Sequence, residues 1–176
     1  ITSKAYGDAW QGSYVVGSLK FRQLQRVVLK DGAIVGTPEV FATDIGRIGL
    51  AICYEIRFPE VIRTLALEGA DIVILPAAWP EQARLLPDIF STVRAAENIV
   101  YFVAPNRNDM DAGMQFIGMS HIIEPSGKTL VRAGEEDGIF SADIDLAKAR
   151  DKSLIRDPGV FEIHPFRDRL PETYRL

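Results

Sequence analysis

The pattern that most constrains this chain lies in residues 46–105, where short apolar runs alternate with helical periodicity. The apolar runs are residues 48–53, 71–76 and 99–105. Between the first two runs, a helical pattern begins at Pro59, a residue tolerated in the first turn, and ends at Gly69. A second helical pattern covers residues 82–98, and Pro87 either divides it or begins its main part. This alternation predicts a layered α/β fold.

The segments on either side of this unit carry turn signals. Residues 116–146 contain Pro-Ser-Gly and Glu-Asp-Gly between short apolar runs, which predicts two or three strands joined by hairpins. The tail at residues 157–176 is rich in proline, arginine and aromatic residues, and we expect an extended segment on a neighbouring surface. Upstream, residues 25–36 predict a hairpin whose turn is an Asp-Gly pair. Residues 1–18 give no assignment.

The composition is that of a globular domain and argues against several classes of function. The chain has 176 residues, 47% of them hydrophobic and 25% charged, with a net charge of −4, and we expect one domain over residues 1–176. No basic stretch suggests a nucleic-acid partner, and no apolar run is long enough to cross a membrane. A single cysteine forms no internal disulfide, and two histidines far from it give no zinc-like spacing. We therefore expect a cytoplasmic protein without a metal or cofactor.

Cys53, the single cysteine, ends the first apolar run just before the helical pattern. A turn between a strand and a helix presents a side chain outward, and nearby backbone N–H groups can hold a developing oxyanion. The amino end of a helix also favours a thiolate. However, a free cysteine is often a small buried hydrophobic residue. Position alone leaves both interpretations open.

Longer stretches around Cys53 resemble a known family. They read GRIGLAICYEIRFPE (46–60), GADIVILPAAWP (69–80), RAAENIVYFVAPNRND (94–109), FIGMSHIIEPSGKTL (116–130), GIFSADIDL (138–146) and RDRLPETY (167–174). In this order, they resemble the nitrilase superfamily of carbon-nitrogen hydrolases over most of the chain. The resemblance implies an α/β fold of the α-β-β-α sandwich type, N-terminally shortened here. It also implies a homodimer or higher homo-oligomer.

The resemblance further implies a reaction. In this family a cysteine thiolate attacks an amide, nitrile or carbamoyl carbon, and water then hydrolyses the thioester. Cys53 falls on the nucleophile, and its surroundings are similar to the amidase and carbamoylase branches. The expected partner is therefore a small-molecule amide or N-carbamoyl substrate. The alternative is a catalytically inactive nitrilase-fold fragment or subunit.

The other two members of the family's Glu–Lys–Cys triad are harder to place. Lys20 or Arg26 matches the lysine segment by alternative alignments, and a third reading loses the lysine loop. A solvated surface charge is the alternative for both residues. Among the residues before Cys53, Glu39 is the only glutamate, and it belongs to the approach to the cysteine strand. We therefore expect this chain to lack the catalytic glutamate, as a fragment, as an inactive relative, or through divergence.

Four further residues are predicted to bind substrate, namely Tyr54, Glu55, Ala78 and Trp79. For Glu55 the alternative is a cap at the start of the helix, and for Trp79 it is a packing aromatic. Glu97 either supports the site from the next helix or is a helix-end carboxylate.

The polar residues further along the chain are assigned to structure. Asn106 and Arg107 are predicted to form a turn or an oligomer contact. His121 and His164 are predicted to be structural histidines.

Overall fold

The computed structural model of the chain describes residues 13–17, 24–30, 33–34, 39–111, 113–134 and 136–174. The chain divides into two compact units, Ile1–Thr37 and Pro38–Leu176. In the first unit, strand β1 (Ser13–Gly17) pairs antiparallel with β2 (Leu24–Lys30), which pairs antiparallel with β3 (Ala33–Ile34). Because the β2–β3 register places Lys30 opposite Ala33, the hairpin predicted in residues 25–36 is confirmed.

The second unit is built on a six-stranded mixed sheet. Its strands are β4 (Val40–Thr43), β5 (Gly46–Leu50), β6 (Ile72–Ile74), β7 (Tyr101–Ala104), β10 (His121–Ile123) and β11 (Thr129–Arg132). The spatial order is β11-β10-β7-β6-β5-β4. The central pairs β5–β6 and β6–β7 are parallel, and the outer pairs are antiparallel. The three strands predicted from the apolar runs are therefore confirmed, each somewhat shorter than its run.

Two helices connect the parallel strands, as predicted. A 3₁₀ turn at Cys53–Arg57, hereafter the cysteine turn, leads into α1 (Pro59–Leu67), with Pro59 at its first position. Pro87 begins the main part of the second helical pattern, because it lies in the first turn of a π-helical segment, Leu86–Phe90, that continues directly into α2 (Ser91–Asn98). Gly69 ends the first helical segment with φ +87°, a conformation that suits glycine.

The hydrophobic core lies on both faces of the parallel strands. On one face, Val73 of β6 and Phe102 of β7 join Ile62, Leu65 and Ala95 of α1 and α2. On the other face, Ile72 and Tyr101 pack with Ala149 of the short helix α3 (Ala147–Arg150). Neighbouring strand residues face opposite ways because side chains alternate along a strand. The two-sided burial explains why these strands read as continuous apolar runs.

The segments after β7 contain the strands predicted there. The Pro-Ser-Gly turn joins β10 to β11 as predicted, and a small hairpin, β8 (Met110–Asp111) with β9 (Met114–Gln115), precedes them. The two strands β10 and β11 agree with the two or three strands predicted for residues 116–146, and no further strand lies in the described residues 136–146. The Tyr101 hydroxyl bonds the backbone N–H and C=O of Asp145, just before α3.

The tail, which the sequence predicted as an extended segment, forms a hairpin with the residues just before it. Strand β12 (Leu154–Asp157) pairs antiparallel with β13 (Phe161–Ile163), and a 3₁₀ turn follows at Pro171–Thr173. Gly159, at φ +76°, lies in the turn between the two strands and allows the chain to reverse there.

Candidate active site

The cysteine turn lies at the carboxyl end of β5, beside the neighbouring parallel strand. The N–H of Ala51 donates to the carbonyl of Ile74 at 3.1 Å, and the N–H of Cys53 donates to the carbonyl of Pro76 at 2.9 Å. These bonds continue the β5–β6 pairing past the end of the strands. They fix the start of the turn to the edge of the sheet, where ligands bind in open α/β folds.

The backbone of Cys53 has an uncommon conformation. Its φ is +38°, and its side chain is half-buried beside the main core cluster. A positive φ at a residue other than glycine costs on the order of 1–3 kcal/mol and persists only where the surroundings fix it. The same strand–turn–helix arrangement presents the nucleophile in other hydrolases. This geometry supports the nucleophile interpretation over that of a packed core thiol.

Glu55 folds back onto the start of the cysteine turn. Its carboxylate accepts the N–H of Ile52 at 2.7 Å, while its own N–H donates to the carbonyl of Ile52 at 2.8 Å. This is a capping arrangement, and it stabilises the amino end of the turn. The structure therefore shows the capping role for Glu55, and its contact with a substrate stays a prediction.

Arg94 on α2 holds the other end of the cysteine turn. Its side chain is buried, its Nε donates to the carbonyl of Ile56 at 3.0 Å, and its Nη1 pairs with the Glu97 carboxylate at 2.8 Å. Sequence reasoning missed Arg94, although an arginine on the alanine-rich, buried face of a helix was an available signal. Glu97 supports the turn through Arg94, in agreement with the first of its two interpretations.

Asn106 connects the loops that follow the parallel strands. Its side-chain oxygen accepts the N–H of Trp79 at 2.8 Å, and its side-chain amide donates to the carbonyl of Gly118 at 2.6 Å. Its backbone N–H bonds the Ser120 hydroxyl at 2.9 Å. Asn106 is buried, so the predicted turn or oligomer contact does not describe it.

Arg107, the next residue, lies in the loop between β7 and β8, and its N–H donates to the carbonyl of Ala77 at 3.3 Å. Its guanidinium forms a two-pronged pair with Asp109 and lies 4.2 Å from the centre of the Phe116 ring. The hydrogen bonds and charge of Asp109 raise the pKa of the guanidinium above its ordinary value.

Trp79 lies in the core, because its side chain is only 1% exposed. Its indole stacks on the His121 ring, with centres 6.2 Å apart and planes inclined by 19°. This placement favours the packing alternative, and its contact with a substrate stays a prediction. Ala78, the preceding residue, is half-buried and remains a predicted substrate contact.

His121 is a buried histidine that is neutral at physiological pH. Burial lowers its pKa from 6.5 to about 4. Its Nδ1 lies 2.8 Å from the carbonyl of Met119, which only accepts, so Nδ1 carries the proton. These contacts agree with the predicted structural role.

The remaining predicted site residues are more exposed or lie elsewhere. Tyr54 is 63% exposed, and its ring meets the edge of Phe58 with centres 5.4 Å apart. Its backbone N–H follows the nucleophile position directly. Lys20 lies outside the described residues. Arg26 lies in β2, opposite Val15, and its side chain is outside the description.

The chain belongs to the carbon-nitrogen hydrolase family, whose sequence profile matches residues 14–152. A nitrilase from Pyrococcus abyssi is 37% identical over 139 residues, which are 77% of this chain and 49% of that protein. A 2-oxoglutaramate amidase from Bacillus subtilis is 38% identical over 103 residues, which are 56% of this chain and 38% of that protein. The chain spans about half the length of curated relatives that match most of it.

Solved structures of an amidase share this fold. The amidase from Nesterenkonia sp. AN1, in a mutant with an acetamide moiety added covalently at the active site cysteine, is 30% identical with a TM-score of 0.61. The match covers 65% of this chain and 44% of that chain. These comparisons confirm the predicted family and its mixed α/β fold.

The described residues form no candidate metal site and no candidate membrane span. No group of three His, Cys, Asp or Glu side chains in that part of the chain is arranged to hold a metal ion. None of the helices described there is long and apolar enough to cross a membrane.

Proposed function

We propose that this protein hydrolyses a small amide through Cys53. The observation that carries the proposal is the positive φ of Cys53 at the carboxyl end of a parallel strand, in a chain of the carbon-nitrogen hydrolase family. The names of the relatives support an amide as the substrate class.

In the proposed reaction, the Cys53 sulfur attacks the carbonyl carbon of the amide. The C–N bond breaks, the nitrogen leaves as ammonia with an added proton, and a thioester remains. Water then adds to the thioester, releases the carboxylic acid and restores the thiol. The N–H of Tyr54 is the proposed backbone donor to the oxyanion, because donors aimed at developing charge stabilise the transition state. The predicted lysine role of Lys20 belongs to the same proposal.

Ammonia release from purified protein tests the proposal. Suitable substrates are acetamide, propionamide, 2-oxoglutaramate and N-carbamoyl-β-alanine, assayed with wild type, Cys53→Ala and Cys53→Ser. We expect release by wild type, a loss of at least about 1,000-fold in both variants, and a thioester mass adduct on Cys53 in rapidly quenched samples. Equal release from wild type and Cys53→Ala would refute the role of Cys53.

A wild type that releases no ammonia from any of these amides would favour the inactive alternative. Reactivity of Cys53 toward iodoacetamide provides a separate test. A thiol with an activated environment is alkylated faster than free cysteine at the same pH.

A further inference from the structure

We propose that Arg94 is a positioning residue that holds Cys53 in its reactive conformation through the carbonyl of Ile56. The inference rests on the proposed function, because it concerns the nucleophile of that reaction. Arg94 does not contact the thiol, so the proposal concerns the geometry of the cysteine turn. No local sequence pattern joins these residues, which are 38 positions apart.

Cys53 has a backbone conformation that the surrounding chain has to hold. Cys53 has φ +38°, and such a backbone relaxes unless the chain is fixed on both sides. The start of the turn is fixed by the bond from the Cys53 N–H to Pro76 and by the Glu55 cap on Ile52. Arg94 supplies the fixed point at the far end of the turn.

A carbonyl at the end of a helical turn needs a hydrogen-bond donor. The last carbonyls of a helix have no partner within it, and a buried carbonyl without a donor is costly. Ile56 is fully buried, and the Arg94 guanidinium reaches its carbonyl at 3.0 Å. A charged donor makes a stronger bond than a neutral one.

Arg94 is itself rigidly held. Only 8% of its surface is exposed, its Nη1 bonds Glu97, and its guanidinium lies 5.7 Å from the centre of the Phe90 ring. The carbonyl of Arg94 accepts the amide of Asn98 at 2.9 Å. A buried guanidinium that is paired with a carboxylate has little conformational freedom, because its planar group fixes the directions of its hydrogen bonds. It therefore fixes the position of the cysteine turn relative to α2.

Kinetics of Arg94→Gln and Arg94→Lys test the proposal. For an amide that wild type hydrolyses, we expect Arg94→Gln to lower kcat by about 100-fold, because a misplacement of about 1 Å has that effect, with KM changed by less than about 3-fold. Arg94→Lys keeps the positive charge but loses the planar guanidinium with its several N–H donors, so its kcat should lie between those of wild type and Arg94→Gln. It also serves as the second variant if Arg94→Gln does not fold.

Arg63→Gln is the matched control. Arg63 on α1 donates to the carbonyl of Glu97 on α2 at 2.7 Å, so it is also an arginine that bonds a backbone carbonyl, but outside the cysteine turn. We expect its kcat to stay within about 3-fold of wild type. An equal loss of kcat in Arg63→Gln and Arg94→Gln would overturn the proposal, as would an unchanged kcat in Arg94→Gln.

The rate of Cys53 alkylation by iodoacetamide separates this inference from the proposed function. It needs no substrate, and we expect Arg94→Gln to slow it by about tenfold at constant pH, with Arg63→Gln unchanged. If wild type hydrolyses none of the amides tested, the function fails while this rate still tests Arg94. Equal alkylation rates in wild type and Arg94→Gln would overturn the positioning role.

Discussion

The two ends of the parallel strands are stabilised by different chemistry. At the carboxyl end, hereafter the cysteine edge, Asn106, Arg94 and Glu55 each bond backbone groups of a loop or turn. At the amino end, hereafter the lysine edge, the ammonium of Lys152 bonds the carbonyls of Ala70, Asn98 and Ile99 at 3.2, 3.4 and 2.7 Å.

The lysine edge lies where two helical segments end, whereas the cysteine edge lies where a turn begins. Carbonyls after α1 and α2 carry partial negative charge, which a cation stabilises. Burial of the Lys152 ammonium lowers its pKa to about 8. At the cysteine edge, the bonds hold loops around a half-buried thiol in an uncommon conformation. We therefore expect changes at the lysine edge to affect stability alone, and changes at the cysteine edge to affect stability and reactivity together.

The largest effect is expected for Asn106→Ala at the cysteine edge. The change leaves the buried N–H of Trp79 and the carbonyl of Gly118 without their partner, at about 1–3 kcal/mol each, so the free energy of unfolding should fall by about 4 kcal/mol. Urea denaturation measures this loss, and iodoacetamide alkylation should show a changed Cys53 rate in the folded variant.

The control for Asn106→Ala is Gln115→Ala. Gln115 in β9 has an exposed amide side chain, and water can replace its bond to the carbonyl of Phe116. A similar loss of stability in both variants would show that the burial of Asn106 is unimportant.

The second-largest effect is the loss of folding stability that protonation of His121 causes as the pH falls. Its pKa is about 4 when folded and 6.5 in an unfolded chain, so the unfolded state binds more protons between these values. Stability from this group is complete above pH 6.5 and is lost as pH falls toward 4. The loss should approach about 3 kcal/mol, at 1.36 kcal/mol for each pKa unit.

Denaturation at a series of pH values from 7 to 4 checks this expectation. His121→Gln should have a flatter profile between pH 6.5 and 5, before most carboxylates are protonated. His164→Gln, in the terminal hairpin outside the core clusters, is the control. An unchanged slope in His121→Gln would contradict the assignment.

The two edges also differ in how far the sequence predicted them. The central strands follow from their apolar runs, and α1 follows from Pro59 and Gly69, because burial and backbone conformation are local properties. The position of Cys53 between strand and helix was also predictable. The bonds that hold its turn were not, since Arg94 and Ile56 are 38 residues apart and Asn106 and Trp79 are 27 apart.

The lysine edge was not predicted at all. Lys152 and Ala70 are 82 residues apart, and a lysine in a polar segment is normally solvent-exposed. Packing between distant segments decides this edge.

A smaller effect is expected for Lys152→Met at the lysine edge. Methionine keeps the length of the side chain but leaves three carbonyls without the ammonium that bonds them. Because water reaches part of this half-buried site, we expect the free energy of unfolding to fall by about 2 kcal/mol. The alkylation rate of Cys53 should stay at the wild-type value.

Lys148→Met is the control for this change. The exposed ammonium of Lys148 pairs with Glu124, and a pair whose cation is solvated contributes little to stability, so its loss should be smaller. A clear change in Cys53 alkylation in Lys152→Met would contradict the separation of the two edges.

The smallest loss of stability is expected for substitutions of Glu55. These substitutions also distinguish a residue that only caps the cysteine turn from one that takes part in the reaction. Glu55→Gln keeps an oxygen that can accept the N–H of Ile52, whereas Glu55→Ala removes the cap and should cost about 1 kcal/mol. If Glu55 only caps the cysteine turn, Glu55→Gln should keep the ammonia release rate within about 3-fold of wild type. A loss of more than about 100-fold in a stably folded Glu55→Gln would instead make this carboxylate the general base or acid for Cys53. The cysteine edge would then contain its own proton-transfer group.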